Sequence, residues 1–259
     1  MKNKTHVAIV LDTSGSMGDD MANPNKRAMT VAGFNEQIQQ IRKDAADVET
    51  YASLVTFDGN VYEHFWNIPA AELKESNIDA YNPTGSTAMR DAIGYVVDKF
   101  NTTTDISDKD TAYLIIVISD GYENASTHHS AAALKEMITA AEATKRWTFT
   151  YMGCSKESLK EVTMSTGIAA SNMANFDGTA RGIRMAAVAA KDGLADYFHN
   201  RRQGLTKTCC YYSDTLGASA DFSEEALSAT VDLDCVESTM GSDAVFGTKK
   251  SVEWASKKL

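Results

Sequence analysis

The sequence predicts an α/β fold, a doubly wound and mostly parallel sheet with one antiparallel edge strand and helices on both faces. A small extension of unknown fold follows it. Three observations carry this prediction. Strand-length apolar runs alternate with amphipathic segments of about ten or more residues, the pattern of parallel strands joined by helical crossovers. Two of the runs, "THVAIVLD" and "AYLIIVISDG", are apolar at consecutive positions, as expected of strands covered on both faces. One tight turn, Asp58-Gly59-Asn60, joins two strand-like runs and marks a hairpin at a sheet edge.

In chain order, residues 5–12 form the first strand, which ends abruptly in an acid. The stretch 23–45 carries Ala28, Val31, Phe34, Ile38 and Ile41 at helical spacing, with Pro24 where a first turn tolerates it. "TYASLVTFDGNVYEHFW" gives the hairpin and "STAMRDAIGYVVDKF" the next amphipathic helix. A second buried strand ends in Ser119-Asp120-Gly121. "SAAALKEMITAAEATK" is helix, "RWTFTYMG" strand, and "ESLKEVTMSTG" a short helix stopped by Gly167. A last helix runs from about Thr179 to Arg202, so residues 1–202 form the domain and 203–259 the extension. The extension shows short strand-like runs such as "LSATVDLD" without a sustained period. Three outcomes stay open for it: packing on the domain, a small appended β element, or docking on another subunit.

Composition narrows the function classes. A chain of 259 residues with 43% hydrophobic content can bury a core. Its net charge of −10 and lack of a basic stripe argue against nucleic acid and anionic membranes as partners. No leader-like segment precedes the first strand, and no apolar run reaches the about 18 residues of a membrane span, so a cytoplasmic location is expected, or a virion if the chain is phage-encoded. Cys154, Cys209, Cys210 and Cys235 show no C-x-x-C spacing and are expected to be free thiols.

Parallel sheets present ligand sites at the carboxyl ends of their strands, where both acid-terminated strands deliver their carboxylates. Three loops at that edge offer oxygen: Asp12, Ser14 and Ser16 after the first strand, Thr87 in "NPTGSTAMRDA", and Asp120 after "VIS". Any one of these residues alone is as well explained as a helix cap. All five together suit a hard divalent cation, and the neutral hydroxyls leave its charge largely in place.

The D-x-S-x-S element, the threonine of "TGSTAMRDAI" and the aspartate of "VISDG" together resemble a von Willebrand factor A-type domain with a metal-ion-dependent adhesion site, over about residues 5–200. The resemblance implies a Rossmann-like fold, metal ligation by Asp12, Ser14, Ser16, Thr87 and Asp120, and a protein ligand whose acidic side chain completes the shell. It further implies non-enzymatic work, commonly within a multiprotein assembly. Ser86 and Ser119 depart from the commonest pattern but are not ligands in that family. Mg²⁺ is the expected ion and Mn²⁺ a substitute, while the scarcity of carboxylates suits Ca²⁺ less.

An enzyme reading competes. Ser14-Gly15-Ser16-Met17-Gly18 is one residue from G-x-S-x-G, with Asp120 and then His128, His129 or His199 as partners. Ser14 stands where the first glycine belongs, an elbow this early has no upstream oxyanion loop, and Asp12 and Thr87 stay unexplained. A D-x-D phosphotransferase fails because Ser14 replaces the second acid. Asp19 and Asp20 are read as solvated loop acids rather than a second cation site, and His128 and His129 as surface residues rather than zinc ligands.

Overall fold

The residues of the first apolar run divide by parity. In β1 (Lys4–Asp12), Val7, Ile9 and Leu11 belong to one buried cluster, whereas Ala8 and Val10 belong to another. Successive side chains of a strand point to opposite faces, so an unbroken apolar run is satisfied only where both faces are covered. The protein is described by a computed structural model covering residues 3–21, 23–153, 156–176, 179–212 and 250–254.

After β1 come α1 (Lys26–Asp44), the hairpin β2 (Glu49–Phe57) and β3 (Val61–Pro69), α2 (Met89–Thr103), β4 (Thr111–Ile118) and α3 (Ala131–Ala143). Then follow β5 (Trp147–Gly153), α4 (Lys156–Thr166), β6 (Met173–Asn175), α5 (Ala180–Arg202) and β7 (Lys250–Ser251). The sheet order is β6-β5-β4-β1-β2-β3-β7. The pairs β2–β1, β1–β4, β4–β5 and β5–β6 are parallel, and β3 runs antiparallel to β2. Phe34, Ile38, Leu194 and Phe198 of α1 and α5 fill one face. On the other, α2, α3 and α4 contribute Ile93, Val96, Leu134, Ile138 and Val162. This is the expected doubly wound sheet. The chain leaves β1 toward β2 and β3, then returns through α2 to β4 on the other side of β1. Strand order therefore reverses between β1 and β4, the position at which such sheets open a ligand crevice.

Element ends follow local chemistry. Gly167 has φ +77°, a left-handed conformation that glycine adopts without penalty, and it stops α4 where the sequence places the stop. Helix α2 begins at Met89 rather than at Ser86, because Ser86 and Thr87 belong to the loop that reaches the sheet edge. Strand β6 spans three residues, too few for a periodic signal. Within 203–259, the described residues Thr208, Tyr211 and Tyr212 are buried. Thr208 N–H donates to Thr148 Oγ1 (3.0 Å), and Tyr211 N–H donates to Asn172 Oδ1 (2.9 Å). Strand β7 pairs antiparallel with β3 through Tyr62–Ser251 and Glu63–Lys250. Cys209 and Cys210 are exposed free thiols. Cys154, Cys235, residues 213–249 and residues 255–259 lie outside the described residues. Among those described, no helix is long and apolar enough to cross a membrane.

At the amino end of the sheet, Arg201 of α5 is fully buried. Its guanidinium donates to Thr5 Oγ1 (3.0 Å) and to the carbonyls of Lys4 (2.9 Å), Asp110 (2.8 Å) and Leu205 (2.9 Å). These bonds tie the last helix to the starts of β1 and β4.

A second buried polar group, His6, lies stacked between Tyr51 (ring centroids 5.5 Å apart) and Tyr113 (5.4 Å), with Nδ1–H donating to Asn67 Oδ1 at 2.5 Å. Burial holds its pKa below the ordinary 6.5, although the Asn67 bond opposes the shift. The unfolded chain therefore takes up a proton below 6.5 that the folded chain refuses until lower pH, so this term removes stability as pH falls through that window. We expect the wild type to lose more unfolding free energy than His6→Gln between about pH 7.5 and 5.5 in urea titrations. Equal losses would show that His6 titrates alike in both states.

Candidate metal centre

Three loops meet at the carboxyl edge of the parallel strands, and backbone bonds hold them together. Thr13 N–H donates to Phe57 O (2.7 Å), Thr84 N–H to Thr13 O (2.8 Å) and Gly15 N–H to Gly85 O (3.1 Å). Gly85 has φ +77°, which lets the loop before α2 turn toward the loop after β1. Thr87 is fixed from the third loop: its N–H donates to Asn124 Oδ1 (2.8 Å), and its carbonyl accepts from the N–H groups of Asn124 (3.0 Å) and Ala125 (3.1 Å). Glu123 supports that loop by accepting from the N–H groups of Arg90 and Ser126, each at 2.8 Å.

Within this frame Asp12 is fully buried. Its Oδ1 accepts from Ser14 N–H (2.6 Å), its Oδ2 accepts from Ser119 O–H (2.5 Å), and its own carbonyl accepts from Tyr81 O–H (2.7 Å). Ser14 Oγ and Ser16 Oγ lie 3.1 Å apart. A Cβ placed on Gly121 would lie 3.0 Å from Thr87 Oγ1, 3.1 Å from Ser16 Oγ and 3.5 Å from Asp12 Oδ2. Oxygens from two loops, Asp12 and Ser16 after β1 and Thr87 before α2, thus converge on one point that the third loop borders with Gly121, where a side chain would crowd them. Asp120, one residue earlier, takes a hydrogen bond and ion pair from the ammonium of Lys26, the first residue of α1. The same ammonium donates to Ser16 O at 2.6 Å.

Burial is the main cause that pushes the Asp12 carboxyl up to about 6, reinforced by the nearby Asp120 charge and opposed by the hydrogen bonds from Ser119 and Ser14. Burial, with the charges of Asp12 and Asp120 adding, also raises the Tyr81 phenol well above its ordinary range. A buried carboxylate in such surroundings favours the arrival of positive charge. Two carboxylates with three hydroxyls form a hard-oxygen donor set, which fits Mg²⁺ or Mn²⁺ better than zinc. Among the described residues no group of three or more His, Cys, Asp or Glu side chains converges in the way a zinc site needs.

All five oxygen residues singled out in the sequence reach this edge: Asp12, Ser16 and Thr87 surround the point, Ser14 adjoins Ser16, and Asp120 turns to Lys26. Two contributors, Tyr81 and Lys26, escaped sequence reasoning, and Ser119, noted there only as a departure from the family pattern, donates to Asp12. Only Lys26 carried a local signal, since a basic residue opening a helix opposes the macrodipole. Asp19 and Asp20 have structural duties, accepting from the N–H groups of Arg27 and Asn23, each at 2.8 Å. The histidines of the hydrolase reading are engaged elsewhere. His128 stacks on Trp254 with centroids 4.0 Å apart, and the His129 ring lies beside Asp91 and Asp98. His199 stands two residues from Arg201, whose bonds to Lys4 and Asp110 place it at the opposite end of the sheet.

The sequence model of the von Willebrand factor type A domain matches residues 6–193. The chain belongs to this family. No curated protein matches this VWA domain significantly. Among solved structures it resembles the von Willebrand domain of the pilus tip protein Mfa5 from Porphyromonas gingivalis, at 11% identity over 80% of this chain and 98% of that one (TM-score 0.52). It also resembles the pilus adhesin SpaC from Lactobacillus rhamnosus GG in its open conformation, at 11% identity over 79% of this chain and 30% of that one (TM-score 0.54). Proximal thread matrix protein 1 from the mussel byssus follows at 15% identity, with 78% of this chain and 46% of that one covered (TM-score 0.45). This VWA domain therefore spans less than half of the mussel protein's length. At these identities the likeness shows the fold alone.

Proposed function

We propose that this VWA domain is a non-enzymatic, divalent-cation-dependent protein-binding module in which a partner's Asp or Glu completes the coordination of the ion. VWA domains commonly serve as metal-dependent binding and adhesion modules. The observation that carries the reading is the convergence of Asp12 Oδ2, Ser16 Oγ and Thr87 Oγ1 on the point beside Gly121. Asp12, Ser14, Ser16, Thr87 and Asp120 would hold the ion as a metal-ion-dependent adhesion site, with Mg²⁺ first, Mn²⁺ as a substitute and Ca²⁺ disfavoured. A bound ion supplies a positive centre with exchangeable water, the place where an incoming carboxylate gains most.

The chain's own residues prepare that place. Ser119 and the Ser14 N–H hold Asp12 in one rotamer, and the interlocked loops keep Thr87 Oγ1 and Ser16 Oγ near it before any ligand arrives, which lowers the cost of ordering. Ser16 is exposed while Asp12 is buried, so the approach is from the Ser16 side. Of the five large hydrophobic side chains exposed among the described residues, Met21 and Tyr122 lie in the two loops that carry Ser16 and Asp120. Exposed aromatic and methionine side chains beside a polar centre are the usual anchors of a protein interface.

The test is a random peptide library displayed on phage, panned on the protein in Mn²⁺ and eluted with EDTA. Enriched peptides should share one Asp or Glu whose amidation abolishes capture, and Thr87→Ala should weaken capture at least about tenfold, the loss of about one interaction to the ion. Capture that persists in EDTA, or that tolerates removal of every acid, would overturn the reading.

A further inference from the structure

The buried lysine at the centre is costly to place. Lys26 is 6% exposed, and in its pair with Asp120 the two side chains are 8% and 4% exposed. It opens α1, where the helix macrodipole disfavours a cation. An ammonium taken out of water at the positive end of a helix needs a compensating purpose. Its contacts join three segments at the site: its own helix, the Ser16 carbonyl and the Asp120 carboxylate.

We propose that Lys26 sets the ligand preference of the centre by weakening its hold on the cation and strengthening its demand for a carboxylate; the inference rests on the cation-dependent reading above. Of the five oxygen residues only Asp12 and Asp120 carry charge, and Lys26 is the cation bonded to Asp120, while the serines and Thr87 are neutral. Together these three groups carry a formal charge of −1. A divalent ion brings the loaded centre to +1, and one carboxylate from a partner brings it to zero. Without Lys26 the loaded centre would already be neutral, and the same carboxylate would leave an uncompensated negative charge in a largely buried site. Lys26 also occupies Asp120 as a hydrogen-bond partner, so the chain itself supplies part of the positive charge that an ion would otherwise supply. A partner acid thus becomes the group that completes neutrality.

The experiment compares the full chain with Lys26→Gln, which keeps a donor of similar length, and with Lys26→Met, which keeps the stem alone. Mn²⁺ affinity is read by the loss of free-ion EPR signal, and carboxylate binding by the ¹⁹F relaxation of trifluoroacetate near bound Mn²⁺. Both variants should bind Mn²⁺ at least about tenfold more tightly than the wild type, as expected for removing one positive charge close to the ion, while their effect on trifluoroacetate falls several-fold. Wild-type affinities for both probes in both variants would overturn the inference and leave the proposed function standing. Mn²⁺ bound by the variants and not by the wild type would sink the proposed function and, with it, the role of Lys26 in setting ligand preference. No binding by any of the three proteins overturns both. Should the variants fold only with Mn²⁺ present, the opposition of charges is supported. Should they remain unfolded even with Mn²⁺ in excess, Lys26 is a structural pair and the inference fails.

Discussion

We expect Mn²⁺ to raise the unfolding temperature of the wild type in proportion to the logarithm of ion concentration and to leave that of Asp12→Asn unchanged. Ligand at about one hundred times its dissociation constant stabilises a folded protein by about 2.7 kcal/mol, which this substitution should remove entirely. Asp12 is the proposed ligand with no substitute, since it is fully buried, ends β1 and offers Oδ2 within 3.5 Å of the convergence point. Asparagine keeps an acceptor for the Ser14 N–H and an amide that can donate to Ser119 Oγ, so the fold should survive and the lost response reports charge alone. Without ion, the variant should be no less stable than the wild type at neutral pH. A carboxyl pushed up to about 6 by burial is destabilising when ionised, so the native state is favoured less as pH rises from 3.8 toward that value. Calorimetric scans of both proteins with EDTA and with Mn²⁺ supply the measurement. An equal Mn²⁺ response in Asp12→Asn would place the cation somewhere else.

Arg201→Met lowers stability by about 3–5 kcal/mol, the expected cost when several buried acceptors lose a charged donor together. The carbonyls of Lys4, Asp110 and Leu205 all accept from this one side chain, and methionine fills much of the volume without donating to any of them. The loss of the guanidinium's own desolvation cost offsets part of the penalty, which is why the estimate stays below the sum of separate bonds. Arg201→Lys should recover only part of the loss, because an ammonium cannot span four acceptors held in different directions. Urea unfolding followed by circular dichroism reads both values. A change under about 1 kcal/mol for the methionine variant would mean that water reaches these carbonyls and that the anchor is dispensable. Cation binding, at the far end of the sheet, should be unchanged in any variant that remains folded.

Most of the architecture was legible because the signals are local. An unbroken apolar run such as "AYLIIVI" can be satisfied only by a strand covered on both faces, and the Asp58-Gly59-Asn60 turn specifies a hairpin whatever surrounds it. The helices announced themselves through spacing, and Gly167 through its freedom at positive φ. Strands β6 and β7, of three and two residues, were invisible because neither is long enough to hold a period. Tyr211 and Tyr212 stand in a segment with no sustained period that would mark them as buried. They are buried because Asn172 and Thr148, distant in sequence, offer partners to the backbone around them.

At the candidate site the division is sharper. The sequence by itself determined the oxygen inventory, Asp12, Ser14, Ser16, Thr87 and Asp120, since acids and hydroxyls at strand ends are delivered to one edge by any parallel sheet. Tertiary structure alone decided which of those oxygens surround a common point and which groups tune them. Ser119 reaches Asp12 across 107 positions of sequence, and Lys26 reaches Asp120 across 94. Hydrophobic periodicity records burial, which each residue shares with its neighbours in the chain, so it survives in a one-dimensional reading. A charge or hydroxyl finds its partner only after the strands have taken their order, and the reversal between β1 and β4 that makes those meetings is a property of the folded sheet.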